Sequence, residues 1–396
     1  MTKNRKYYLS IGLAFIVFFI TTKRTRGQYS ENFKVDFVRK FDSVVSCKNN
    51  PNSSQNVTQV SKQGNSLTFM SLSDNLDAKN LMFEATGNVK YLQENYGVIT
   101  NVLNAGKIKG DVNLTWISKS NLPQYRSTND KEVILYEGYL WRYVTAFQYL
   151  IAQNSNNPQI SKLKIPINYT ENVFFKWYNR SIKEYGDDSQ LQHIRIHIGS
   201  HWAIIAMYLY KLSSNTDYKI IYKKYFERYN EALRNNLKID TIDGHPYYIW
   251  NSTYDNPFTN LQKKDRARQK RYRPIIQDVT HGNHVVQYVI ISYELGLNDW
   301  TKHDIQLFAN TLKYKIWQGR TKSFSDDIDG SRDLDKSLQN TGWKQSDGWM
   351  KLMLYDRSLY PLYITFYKSN EKVIDKTYLN LQFYADFAMY QKLYSE

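Results

Sequence analysis

The chain of 396 residues holds one cysteine, Cys47. That excludes an internal disulfide framework and any cysteine-rich zinc site. Proline and glycine are scarce, at 8 and 17 residues, which excludes collagen-like and low-complexity architectures. No apolar run reaches the roughly 18 to 20 residues that a spanning helix needs. Acidic residues are the minority, 37 against 53 basic, giving a formal net charge of +16. What the chain has in abundance is aromatics: 34 Tyr, 18 Phe and 9 Trp. Disordered chains are poor in aromatics, so this one is expected to bury a sizeable core, as one large domain or two modest ones. Core packing, not cystines, must hold it together.

The excess positive charge is uneven. Lys3, Arg5 and Lys6 precede an uncharged run from Tyr7 to Thr22, whose strongly apolar part is Ile11 to Ile20. That length suits a signal-peptide core. Lys23, Arg24 and Arg26 follow at once and suit a retained membrane anchor instead. Either reading makes residues 1–27 a signal or anchor and places the rest on the non-cytoplasmic side, secreted or membrane-anchored. Asn-x-Ser/Thr sequons at Asn52, Asn56, Asn113, Asn168, Asn179 and Asn251 fit a secretory glycoprotein, although an Asn-rich chain forms some by chance.

Residues 28–73 are polar and read as a linker or arm. From residue 74 to 396, apolar residues recur at helical spacing and strand-like alternation is scarce. The pattern predicts helices over 75–86, 89–104, 131–154, 170–186, 190–213, 218–237, 279–295, 301–317, 343–368 and 371–394. One motif repeats within it. The stretches 83–103 and 208–233 each end a helix, pass through Gly-Asn or Ser-Asn, reach a Tyr and begin another helix. Stretches 291–317 and 363–387 are looser versions. A left-handed Gly or Asn closes one helix and a fresh N-cap opens the next. Stacked helical hairpins of this kind make solenoids or closed rings. The fold expected is all-α, an (α/α) toroid, with loops 105–130, 238–277 and 318–342 as candidate cleft walls.

The most informative stretch is Gln277 to Gly296. Asp278 or Thr280 can cap its helix. His281, His284 and Tyr288 fall at i, i+3 and i+7, with Asn283 beside them and Val285, Val286, Val289 and Ile290 opposite. An amide that binds a carboxylate, with His and Tyr to move protons, suits β-elimination from a uronic acid sugar. A second row, His193, His197 and His201, has the spacing of one helix face. The absence of HExxH and the interruption at Gly199 argue against a metal there, and no cofactor is expected. Asp326, Asp327 and Asp329 lead to Arg332; Trp343, Lys344, Asp347 and Trp349 surround Gly348. Trp residues in a polar loop suit sugar stacking, and the carboxylates suit a hydrolase. The loop Lys263 to Arg273 suits an acidic polysaccharide; nucleic acid is not an expected partner.

The stretches HPYYIWNSTYD, QDVTHGNHVV, ELGLNDWTKHDIQLFANTLKYKIWQG and DIDGS, with ATGNVKYL and EGYLWRY before them, resemble α/α-toroid proteins of bacterial glycan degradation. The resemblance spans roughly 80–390 and is similar in outline to toroid polysaccharide lyases acting on alginate or glucuronan. Those use an Asn-His pair, a Tyr and an Arg. The resemblance implies catalytic roles for Asn283, His284 and Tyr288, with His281 and His197 nearby. Arg332, Arg357 and Arg195 compete for the Arg. Trp343, Trp349, Asp347, Lys344, Arg332, His201 and Trp250 are expected to bind substrate. The expected function is a lyase on an acidic glycan; a glycoside hydrolase and a non-catalytic glycan-binding or envelope protein are the alternatives.

Overall fold

The structure, a computed structural model, describes residues 35–109, 113–269, 274–331, 344–375 and 380–394. Residues 1–27, Arg332, Trp343 and the end of the basic loop, Lys270 to Arg273, lie outside the described residues. Among those described, no helix is long and apolar enough to cross a membrane.

The protein is helical. Its helices are α1 Phe37–Ser46, α2 Ser54–Ser61, α3 Phe69–Thr86, α4 Lys90–Ala105, α5 Ile134–Gln153, α6 Pro158–Ser161, α7 Asn168–Tyr185, α8 Ser189–Gln192, α9 Ile196–Leu212, α10 Thr216–Asn236, α11 Asn260–Arg268, α12 Val279–Glu294, α13 Lys302–Thr311, α14 Tyr360–Ile374 and α15 Asn380–Tyr394. Strands form three antiparallel hairpins: β1 Lys107–Lys109 with β2 Asn113–Thr115, β3 Lys238–Ile242 with β4 His245–Ile249, and β5 Trp317–Gln318 with β6 Ser323–Phe324.

The repeated motif does what its residues suggest. α3 closes on Gly87, whose φ of 71° is left-handed, and α4 begins three residues later. Asn215 caps α10 by accepting from the Tyr218 N–H. Gly296, φ 63°, follows α12, and Thr301 with Asp304 forms the capping box of α13.

Five helices form an inner row. α15 packs on α3, α3 on α5, α5 on α9, and α9 on α12. Behind them, α1 packs on α15, α4 on α3, α7 on α5, α10 on α9, and α13 on α12. The inner members are buried on nearly every side; α9 is buried without a break from Ile196 to Met207. A helix apolar all round belongs in an interior. The row runs parallel. The early turns of α3, α5, α12 and α15 line one cleft, and the later turns of α3, α5, α9, α12 and α15 line a second cavity.

Four expectations need correction. Residues 36–73, read as a linker, carry α1 and α2, and Phe37 and Phe41 are buried against Phe387 and Tyr91. The predicted helix 343–368 begins only at Tyr360; Met350–Leu354 and Arg357–Leu359 are short 3-10 turns. The histidine row is broken: His193 has φ 53° and ends α8, so only His197 and His201 share α9. Two sequons, Asn52 and Asn251, are buried and unavailable to a glycan in the folded chain.

Candidate active site

A cleft of about 300 Å³ opens where the early turns of the inner row meet. Asp74 comes to it from α3, Tyr139 from α5, Asn283 and His284 from α12, Gln382 from α15, and Lys344, Ser346 and Asp347 from the segment before Met350. Gly348 lets that segment press against α12. A Cβ there would lie 2.2 Å from the Asn283 carbonyl and 2.7 Å from the Gln287 nitrogen, so no larger residue fits.

Asn283 fixes the contact. Its Oδ1 accepts the backbone N–H groups of Gly348 at 2.7 Å and Trp349 at 3.0 Å. With the oxygen thus assigned, the amide NH2 has no protein partner among the described residues and lies on the cleft wall. It presents two donors to a ligand.

Beside it runs a chain of three side chains. The Tyr139 hydroxyl lies 2.7 Å from His284 Nε2, and His284 Nδ1 lies 2.6 Å from Asp347 Oδ2. Burial, together with the Arg142 cation, lowers His284 to about 4 despite the opposing pull of Asp347, so the ring is neutral at pH 7. A neutral imidazole has one N–H. Nδ1 also lies 3.1 Å from Arg142 Nη1, which can only donate; the closer Asp347 oxygen, which can only accept, favours the tautomer with the hydrogen on Nδ1. Nε2 is then the acceptor for the Tyr139 hydroxyl. This is the order of a catalytic triad with a phenol in the outer position.

Asp347 is held from beneath. Burial alone would raise its carboxyl; Arg142, then His284 and Tyr143, hold it well below the usual carboxylate range. Arg142 Nη2 donates to Asp347 Oδ2 at 2.8 Å, and its Nη1 donates to Gln287 Oε1 at 2.7 Å. Tyr143 donates to Asp347 Oδ1 at 2.6 Å and accepts from Gln287. Gln382 donates to both Asp347 and Asp77, and Asp77 is bound in turn by Lys351 at 3.0 Å. These residues form a polar layer under the cleft. Beyond it is a second cavity of about 230 Å³, lined by Arg142, Tyr143, Gln287, Asp77, Glu84, Tyr208, Glu294 and Lys351.

The histidines gather but do not act alike. His201 lies against Tyr139 and His284, with ring centroids 4.4 and 4.6 Å away, and neither of its nitrogens has a hydrogen-bond partner among the described residues. Burial and Arg142 push it well below its usual range, which keeps it neutral. His197 faces His281 at 4.2 Å and is likewise lowered by burial and its histidine neighbours. His281 is half-exposed and bonded to Asp278, the N-cap of α12. Among the described residues, no group of His, Cys, Asp or Glu could hold a metal ion.

Other expected site residues lie elsewhere. The Tyr288 hydroxyl donates to Asn230 and accepts from Asn298, and its ring packs edge-on against Tyr229, toward α10. Trp349 and Trp250 are stacked on each other in the core, and Trp349 donates to the Val279 carbonyl. They pack the fold and offer no face to a sugar. Arg195 bonds Ser252, and Arg357 lies over Tyr394. The residues that sequence reasoning passed over are Tyr139, Arg142 and Tyr143. Their signal is an Arg with Tyr at i−3 and i+1 in a mostly apolar helix, where an unpaired cation would be costly. No family model, no curated protein and no solved structure matches the chain.

Proposed function

We propose that the protein is a polysaccharide lyase that cleaves an acidic, uronate-containing glycan by β-elimination. In this reading the inner row is closed into an (α/α) toroid by the segment 344–359, between α12 and α15. The observation that carries the reading is Asn283, with its oxygen locked and its NH2 free, beside the Tyr139–His284–Asp347 chain.

The Asn283 amide binds the uronate carboxylate. Drawing charge onto that group lowers the pKa of the proton on the adjacent carbon. The Tyr139 oxygen takes that proton while its own passes to His284 Nε2, and Asp347 stabilises the resulting imidazolium. Tyr139 therefore takes the proton-carrying role that sequence spacing suggested for Tyr288, and Arg142 is the arginine of the site, anchoring Asp347. The early turns of four inner helices face the cleft, and their dipoles favour an anionic ligand. A hydrolase would need a pair of available carboxyls; Asp278 is engaged by His281 and Asp347 by Arg142, which leaves Asp74 as a single one in the cleft. Secretion or anchoring through residues 1–27 would bring such an enzyme to its polymer.

The test is incubation of the purified protein with alginate, glucuronan, heparan sulfate and chondroitin. The expected result is growth of the ultraviolet absorbance of a C4=C5 uronate product on at least one of them. New reducing ends without that absorbance would mean hydrolysis, and binding without turnover would mean a glycan-binding protein.

A further inference from the structure

The cleft contains a carboxyl that the Tyr139 chain does not use. Asp74, on α3, is 8 % exposed and shares the cleft wall with Tyr139, Asn283, His284 and Asp347. It makes no hydrogen bond to any described residue.

Charge in the surrounding layer does not balance with every carboxyl ionised. Asp74, Asp77, Asp347 and Asp386 are buried there, against two buried cations, Arg142 and Lys351, and a part-exposed third on the cleft wall, Lys344, whose pull on Asp74 is weaker than the opposing effects of burial and Asp347. Arg142 is bonded to Asp347, and Lys351 to Asp77. Asp74 and Asp386 are left without a bonded cation. A buried carboxyl in that position keeps its proton, because ionising it unpaired costs more than protonating it. Burial and the neighbouring Asp347 charge push Asp74 well above the usual carboxylate range, and burial does the same to Asp386. Both Asp386 oxygens are sealed without hydrogen-bond partners among the described residues, and it lines neither cavity. Asp74 is the one that faces the cleft.

We propose that Asp74 is the proton donor to the glycosidic oxygen that departs in the elimination. This inference rests on the lyase reading of the same cleft. The Tyr139 oxygen takes the C5 proton and Tyr139 passes its own to His284. The C5–H electrons form the C4=C5 bond, the C4–O4 bond breaks, and O4 leaves with the Asp74 proton. Asp74 is left as a carboxylate and His284 as an imidazolium. Transfer of the imidazolium proton through Tyr139 and water restores both, so nothing else is consumed. The division of labour gives abstraction to α5 and α12 and donation to α3.

The test compares wild type with Asp74→Asn, whose amide copies the shape of a protonated carboxyl. Two substrates are used: a uronate polymer, and a uronoside carrying 4-nitrophenoxide at C4, which leaves without needing a proton. In Asp74→Asn, polymer turnover should fall roughly 10²- to 10⁴-fold while release of nitrophenoxide stays within about 3-fold of wild type. Infrared difference spectra at pH 7 should show a protonated-carboxyl C=O stretch in wild type that is missing in Asp74→Asn. Unchanged polymer turnover, equal loss on both substrates, or absence of that band would each overturn the inference while leaving the lyase reading intact. A wild-type protein that cleaves neither substrate would overturn the lyase reading and the donor role with it.

Discussion

The two ends of the inner row are made of the same helices and carry opposite chemistry. At the cleft end, early turns bring Asn283, His284 and Tyr139 together, and the helix dipoles favour an anion. At the other end, later turns bring Glu84 and Glu294 to a cavity that also holds Tyr149 and Tyr208. Burial raises both carboxyls, Glu84 to about 7, and whatever charge they carry adds to dipole ends that are already negative. On the proposed function, the first end is the one that would take a polyuronate. Direction of the helices, as much as residue type, sets the electrostatic character of each opening.

The sharpest way to break that contrast is a matched pair of hydroxyl deletions. Tyr139→Phe should lower uronate-polymer turnover roughly 10²- to 10⁴-fold, the usual weight of a proton-transfer group. Tyr208→Phe, at the far end, should leave turnover within about 2-fold. Equal losses, measured by initial rates of product absorbance, would erase the distinction between the ends.

Next in size is the layer between them. Arg142→Met strands the buried Asp347 carboxylate and should lower unfolding free energy by about 3–5 kcal/mol in urea titration. A loss under about 1 kcal/mol would mean that the layer does not hold the cleft residues in place.

Acid should reach the cleft end first. The unfolded His284 ring binds a proton near its ordinary 6.5, while the folded ring does so only near 4. Stability linked to His284 is therefore present above about 6.5 and is lost as pH falls toward 4, by about 3 kcal/mol in all. His284→Gln should flatten the dependence of urea midpoint on pH over that window. The smallest effect belongs to the rim: His281→Gln breaks a half-exposed pair with Asp278 and should change stability by about 0–1 kcal/mol.

The helices were legible where a local rule sets them. Gly87, Asn215, Thr301 and Asp278 sit at helix ends because a left-handed φ or a capping oxygen is needed there, and each is visible in sequence. The row from His193 to His201 was misleading because spacing cannot show that His193 turns the chain with φ 53°. Trp343 and Trp349 looked like sugar platforms in a polar stretch; Trp349 faces inward because the neighbouring Gly348 docks on α12, and it stacks there on the buried Trp250. The α12 half of the site, Asn283 and His284, follows from a helix face with one polar side. The α5 half, Tyr139 and Arg142, does not, since its partners lie at sequence distances of 142 to 205 residues. Asp74 and Asp347 meet at the cleft only through the packing of α3 against α5 and α15.

The polar layer also sets a direction of traffic. Arg142, Asp347, Gln287, Tyr143, Gln382 and Asp77 are cross-braced side chain to side chain, so they act as a bulkhead between the two cavities. On the proposed function, a glycan strand in the cleft would not thread through to the far side. It would leave by the cleft itself, and each cut would end in a retreat rather than an advance along the polymer.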